Sequence, residues 1–183
     1  MPGPCRAAMQ PGRRKGLAAL LAPLALGALG MAARLPAWAL DSPKGRVVLT
    51  VSGSALKANL DGRVVFDMDM LAALPQHSFT VQTPWYPQAR KFTGPLLRDV
   101  LALAGARGSS IEAYALNDYR VSIPMEDVLR HEVILARLMD DQPMSVRDKG
   151  PLFIIYPFDD DARLRSSIYY SRSAWQLKAL EVR

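Results

Sequence analysis

Thiol and imidazole are scarce in this chain: one cysteine, Cys5, and two histidines, His77 and His131, make up the whole supply. Beyond residue 39 there is no cysteine, so neither a disulfide nor a thiolate metal ligand can form there. No His-x-x-x-His spacing occurs, which excludes the usual zinc arrangement. Acidic residues are absent from the first 39 positions. A Gly-x-Ser-x-Gly elbow is also lacking, and Ser54-Ala55-Leu56-Lys57 has no Lys-Thr-Gly element to complete a penicillin-binding site.

What the first 39 residues do contain defines an export signal. Arg6, Arg13, Arg14 and Lys15 form a positive start, and Gly16 to Ala33 carries no charge. Ala37 and Ala39 then supply the small-x-small pattern of a signal-peptidase site. Residues 1–39 are therefore expected to be a cleaved signal peptide, leaving residues 40–183 as one domain in the periplasm or another extracytoplasmic space, not membrane-spanning after cleavage. Arg13-Arg14 is half of a twin-arginine signature, but Gly16 stands where that signature has a large apolar residue.

Removing the leader alters the charge balance. It takes five of the 23 lysines and arginines and none of the 17 acidic residues, leaving 18 against 17. A balanced domain lacks the cationic excess of a nucleic-acid binder, so no nucleic-acid partner is expected.

Within residues 40–183 the pattern alternates between short strands and shorter helices. Strands are expected at Arg46–Val51, Val64–Phe66 and Phe79–Gln82, with a brief helix through Leu74 capped by Asp67 or Asp69. Leu96, Leu97, Val100, Leu101 and Leu103 recur at helical spacing up to Gly105. Asn117-Asp118 sits between two β-prone runs and predicts a hairpin. Pro124 opens a helix to Leu129, Val133–Met139 and Leu152–Tyr156 suit buried strands, and Trp175–Val182 reads as the last strand. The sum is an α+β, β-rich domain with a few short helices.

Two loops concentrate aromatic and basic residues. Thr83 to Lys91 contains Trp85, Tyr86 and Arg90 in a proline-rich stretch; Tyr169 to Trp175 contains Arg172. Exposed aromatics of this density either bind something or fold back as lids over the core. Asp159-Asp160-Asp161 is followed at once by Arg163 and Arg165, which reads as a solvated loop with local charge pairing. The methionines, among them Met68, Met70 and Met144, are expected to fill the core.

Three segments carry a family resemblance. Phe92-Thr93-Gly94-Pro95-Leu96-Leu97-Arg98-Asp99-Val100-Leu101 resembles the aromatic-x-Gly-x-x-Leu-Arg-Asp-x-Leu stretch of the oxidoreductase molybdopterin-binding domain, found in sulfite oxidase and its bacterial relatives. Asn117 to Pro124 is similar to that family's hairpin ending in Ile-Pro, and Lys149 to Pro157 to its Gly-x-Pro-Leu strand. The order and spacing agree over roughly Val47 to Val182. The resemblance implies a sulfite-oxidase-like molybdopterin-binding fold, a molybdopterin cofactor and oxidoreductase chemistry.

It also marks three departures. The family holds molybdenum through a cysteine upstream of the Gly-x-x-Leu-Arg-Asp segment, where this chain has Thr83-Pro84-Trp85. Phe153 and Ala174 stand where the family has an arginine and a lysine. By this reading Thr83, Trp85, Arg90, Arg172 and Trp175 border the cofactor cleft, with no metal ligand assigned. Two functions remain open. One is an exported binding or accessory module for a small anionic or planar ligand or a membrane-bound partner protein. The other is a molybdopterin-dependent oxidoreductase with an atypical metal shell. If the cleft forms, Arg172 is expected to be exposed and to matter little for folding.

Overall fold

The computed structural model describes residues 40–54 and 56–183. The expected signal peptide and its Ala37/Ala39 cleavage pair lie outside the described residues.

From the amino-terminal side the elements are strands β1 (Val47–Gly53) and β2 (Val64–Asp67), helix α1 (Met68–Ala73), strands β3 (Gln76–Val81) and β4 (Arg90–Pro95), and helix α2 (Leu97–Ala104). Then come β5 (Ser110–Ala115), β6 (Arg120–Pro124), α3 (Met125–Arg130), β7 (Ile134–Ala136), β8 (Leu138–Met139) and β9 (Gln142–Pro143). Strand β10 (Phe153–Ile155), helix α4 (Ser167–Arg172) and strand β11 (Leu177–Val182) complete the domain. No helix among the described residues is long and apolar enough to cross a membrane.

Local chemistry explains most of these boundaries. Asp67 caps α1: its carboxylate accepts the Met70 backbone N–H at 2.8 Å, which satisfies a donor the helix itself cannot pair. In α2 the buried side chains are Leu97, Val100, Leu101 and Ala104, one stripe at helical spacing. In β1 the alternation places Leu49 and Val51 in the core and leaves Val48 and Thr50 half-buried on the other face.

Three sheets result. The largest has the order β2-β1-β11-β5-β6, with β1 and β11 parallel and the other pairs antiparallel. The second pairs β10 with β7, and the third runs β3-β4-β8-β9. The core between them includes Phe66, Leu97, Phe92, Phe153, Tyr156 and Phe158, all fully buried.

Two glycines of the family-like segments serve close approach. A Cβ on Gly94 would collide with the Leu135 carbonyl oxygen, and one on Gly150 with the Met144 carbonyl oxygen. Gly94 thereby lets β4 lie against β7, while the Leu97 N–H donates to Val133 O at 2.9 Å and ties α2 to the residue just before that strand.

Three expectations need revision. Arg90 and Lys91, read as irregular, begin β4, because β3 pairs with that strand along its length and β8 pairs with Phe92 and Thr93. Val133–Met139 is two strands, β7 paired with β10 and β8 paired with β4, interrupted at Arg137. Part of the aromatic loop around Tyr169 and Tyr170 is helix α4.

Candidate functional site

The loop between β3 and β4 and the approach to β11 bring the two predicted tryptophans together. Trp85 and Trp175 meet edge to face, with ring centroids 5.7 Å apart at 72°. Phe153 touches both, at 5.3 Å from Trp85 and 6.1 Å from Trp175. Its backbone also forms an antiparallel bridge with Trp175, so the last loop is tied to β10 at the point where the rings converge. Tyr170 of α4 adds an edge contact to Trp85 at 5.9 Å. On the opposite side Tyr119, from the β5–β6 turn, lies parallel to Trp175 at 6.5 Å. Such contacts contribute stability beyond simple area burial, so this aromatic cluster is part of the fold as well as a surface.

Thr83 lies two residues beyond the end of β3 and is 3 % exposed. Its Oγ1 is buried and has no hydrogen-bond partner. The Tyr86 hydroxyl is in the same condition, and burial pushes its pKa up, with Arg90 opposing. Buried hydroxyls without partners are uncommon in folded proteins, and each one calls for an explanation.

The cations divide into two groups. Arg90 places its guanidinium carbon 5.6 Å from the Tyr86 ring centre, and its Nε lies 3.0 Å from Asp140 Oδ2. Lys149 was not singled out from the sequence. Its Nζ stands 5.1 Å from the Tyr86 ring centre and 5.5 Å from that of Trp175, bridging the two loops through cation–π contact. Its one signal in the sequence is its position at the head of the Gly-x-Pro-Leu segment.

Arg172 belongs to the second group. At the end of α4 it directs Nη1 to Asp127 Oδ2 at 2.9 Å and holds its guanidinium carbon 5.3 Å from the Tyr169 ring centre. The same Asp127 oxygen accepts the Tyr156 hydroxyl at 2.9 Å. Burial and the neighbouring Asp127 carboxylate hold the Tyr156 pKa far above its ordinary value. Trp85, Trp175, Arg90 and Lys149 therefore share one neighbourhood, and Arg172 anchors an adjoining buried network.

Phe153 and Ala174 are both fully buried, so neither position presents a side chain to solvent. The Asp159–Asp161 run is paired locally, Asp159 with Arg165 at 2.6 Å and Asp161 with Arg163 at 2.7 Å. Among the described residues no group of three or more His, Cys, Asp or Glu could hold a metal ion.

Comparison with known proteins places this geometry in context. A family profile described as the oxidoreductase molybdopterin binding domain matches residues 46–158. No curated protein matches the chain. Among solved structures, it is similar to the crystal structure of the sulfane dehydrogenase SoxCD from Paracoccus pantotrophus, with a TM-score of 0.55 and 18 % identity over 73 % of this chain and 37 % of that one. The chain thus spans little more than a third of that relative, and the likeness is one of fold. It matches the β-rich α+β architecture with short helices.

Proposed function

Because the chain belongs to the oxidoreductase molybdopterin-binding domain family, we propose that it is an exported binding or accessory module that retains the family's fold without the cysteine that holds molybdenum. The observation that carries this reading is the donor set at the loop after β3. Where a thiolate would be needed there is a threonine hydroxyl, buried and without a partner. A hydroxyl is hard and weakly acidic, and it does not replace a thiolate on a metal that favours sulfur. Phe153 and Ala174, both fully buried, provide no charge for a pterin phosphate. The residues present do not fit a thiolate-held molybdenum centre.

What remains suits recognition better than redox chemistry. Trp85 and Trp175 supply flat apolar surface, Lys149 and Arg90 supply fixed positive charge around Tyr86, and the buried Thr83 and Tyr86 hydroxyls have no hydrogen-bond partner of their own. A planar or anionic small ligand would use all three. The proposed compartment is the periplasm or an equivalent extracytoplasmic space, reached through the residues 1–39 signal. A membrane-bound partner protein would be the alternative recipient of this face.

The unpartnered Thr83 oxygen favours one further reading, a molybdopterin-dependent oxidoreductase with an atypical metal shell. One experiment separates the two. Protein purified from its native compartment should contain no stoichiometric molybdenum and release no oxidised-pterin fluorescence. Stoichiometric molybdenum would overturn the binding-module reading.

A further inference from the structure

A second concave site is lined by none of Trp85, Tyr86, Arg90, Lys149 and Trp175. It is a groove of about 500 Å³ on the open face of the five-stranded sheet, running over the parallel pair β1 and β11. Its hollow has a simple cause. Thr50 and Ala179 are in register across that pair, flanked in the same row by Val65 on β2 and Tyr114 on β5. Two small side chains in the middle of the row leave a trough that larger residues would fill.

The walls are apolar and held in place. Leu116 and Val146 are 46 % and 50 % exposed, large for aliphatic side chains, and both line the groove. Gln176 fixes both walls at once: its backbone oxygen accepts the Leu116 N–H at 2.8 Å, and its side-chain Nε2 donates to Val146 O at 2.7 Å. The groove is therefore formed before any ligand arrives, which lowers the entropy lost on binding.

Charge selects the occupant. Arg46, Arg63 and Lys178 line the groove, and no carboxylate does. Among the described residues Arg46 and Arg63 form no ion pair, and Lys178 has only an exposed contact with Asp118 at 3.3 Å. In a domain whose total charge is almost balanced, this is a local excess of one sign beside exposed aliphatic surface.

We infer that this groove binds a single-chain fatty carboxylate, its head between Arg46 and Arg63 and its chain along Thr50, Ala179, Leu116 and Val146. A guanidinium fork matches a carboxylate's two oxygens, and the volume lies in the roughly 300–1,000 Å³ range of small-molecule sites. A stable protein partner would need roughly 800 Å² from this side, more than a narrow trough offers. The inference is independent of whatever the aromatic cluster binds.

Titration calorimetry with dodecanoate, below the concentration at which it forms micelles, tests it. One saturable site per chain is expected, weakened by added salt. Dodecanol, with the same chain and no charge, should bind about tenfold or more weakly, and so should dodecanoate to the Arg46→Gln/Arg63→Gln protein, since a lost charge-assisted pair is worth roughly this much. Ala179→Leu should close the trough and abolish binding. Val146→Glu, on an exposed wall where folding is not at risk, should set a charge against the hydrocarbon chain and weaken binding as well. Equal binding of dodecanol, unaltered affinity in the double variant, or no saturable binding would overturn the inference. So would concentration-dependent dimerisation abolished by Val146→Glu, which would assign the groove to a second copy of the chain.

Discussion

Trp85 and Trp175, from loops far apart in the sequence, meet edge to face at 5.7 Å, and Phe153 closes the triangle behind them. The contact joins the β3–β4 loop to the segment entering β11, so the two loops hold each other. Trp85→Ala and Trp175→Ala should each destabilise the domain by about 3 kcal/mol, in the range for truncating a large aromatic packed on a core. Their effects should not add. A double-mutant cycle read by denaturant unfolding and far-UV circular dichroism should return a coupling of about 1 kcal/mol. A coupling near zero would mean that the rings are neighbours without energetic contact.

Arg172 requires a revised expectation for folding. From the sequence it reads as an exposed cation of little structural value. In the structure its side chain is 22 % exposed and its partner Asp127 10 %, and Tyr156 donates to the same carboxylate oxygen. Arg172→Ala leaves that carboxylate buried with less compensation and should cost about 2 kcal/mol of stability. Tyr156→Phe should cost about 1 kcal/mol by the same logic, because Asp127 keeps its stronger partner. Thermal unfolding of the two variants checks the order. If Arg172→Ala were as stable as the parent, the network would be ornamental and the arginine available for a ligand.

These cases show which features the sequence made legible. Elements decided by local chemistry were readable: Asp67 marks the start of α1, the Leu97-Val100-Leu101 stripe marks α2, and Asn117-Asp118 marks the turn between β5 and β6. Elements decided by distant partners were not. Arg90–Pro95 carries two charges, a glycine and a terminal proline, and becomes a strand because β3 and β8 pair with it. Helix α4 has little helix-forming composition; its end is held by Arg172 on Asp127 and by the Tyr119 hydroxyl donating to Ser171 O. The site divides in the same way. Residue type pointed to the two tryptophans and to Arg90, while Lys149 acquires its place only from a fold that sets Tyr86 and Trp175 on either side of it.

Asp67 gives a pH-dependent prediction. Its carboxylate accepts backbone N–H groups from Met70, Gly45 and Lys44, each at 2.8 Å. Those bonds, the Met70 bond first and then the Gly45 bond, hold its pKa below the ordinary 3.8. A lowered folded-state pKa contributes stability that is complete above the unfolded value and disappears as pH falls through the folded one. Asp67→Ala should therefore lose about 2 kcal/mol at neutral pH, with the cap and the lead-in both released. The gap to the parent should narrow below pH 3.8. Denaturant unfolding at a series of acidic pH values measures this directly. A gap that stayed constant would mean that the carboxylate is not the stabilising species.

Thr83 yields the prediction that bears most closely on function. A buried hydroxyl with no partner has lost its water and gained nothing in return, which disfavours the folded state by roughly 1–3 kcal/mol. Valine has nearly the same shape and no polar atom. Thr83→Val should therefore leave the ligand-free domain as stable as the parent or about 1 kcal/mol more stable, contrary to the usual effect of a core substitution. If the hydroxyl is kept for a ligand, the same variant should bind that ligand more weakly, so stability and binding move in opposite directions. Thr83→Ser keeps the oxygen but removes a buried methyl; it should retain binding and lose about 1 kcal/mol of stability. Unfolding of the two variants, together with a screen of planar anions by thermal shift, distinguishes the outcomes. A destabilised Thr83→Val would mean that the oxygen already has a partner within the fold, and the argument for a ligand at this position would fail.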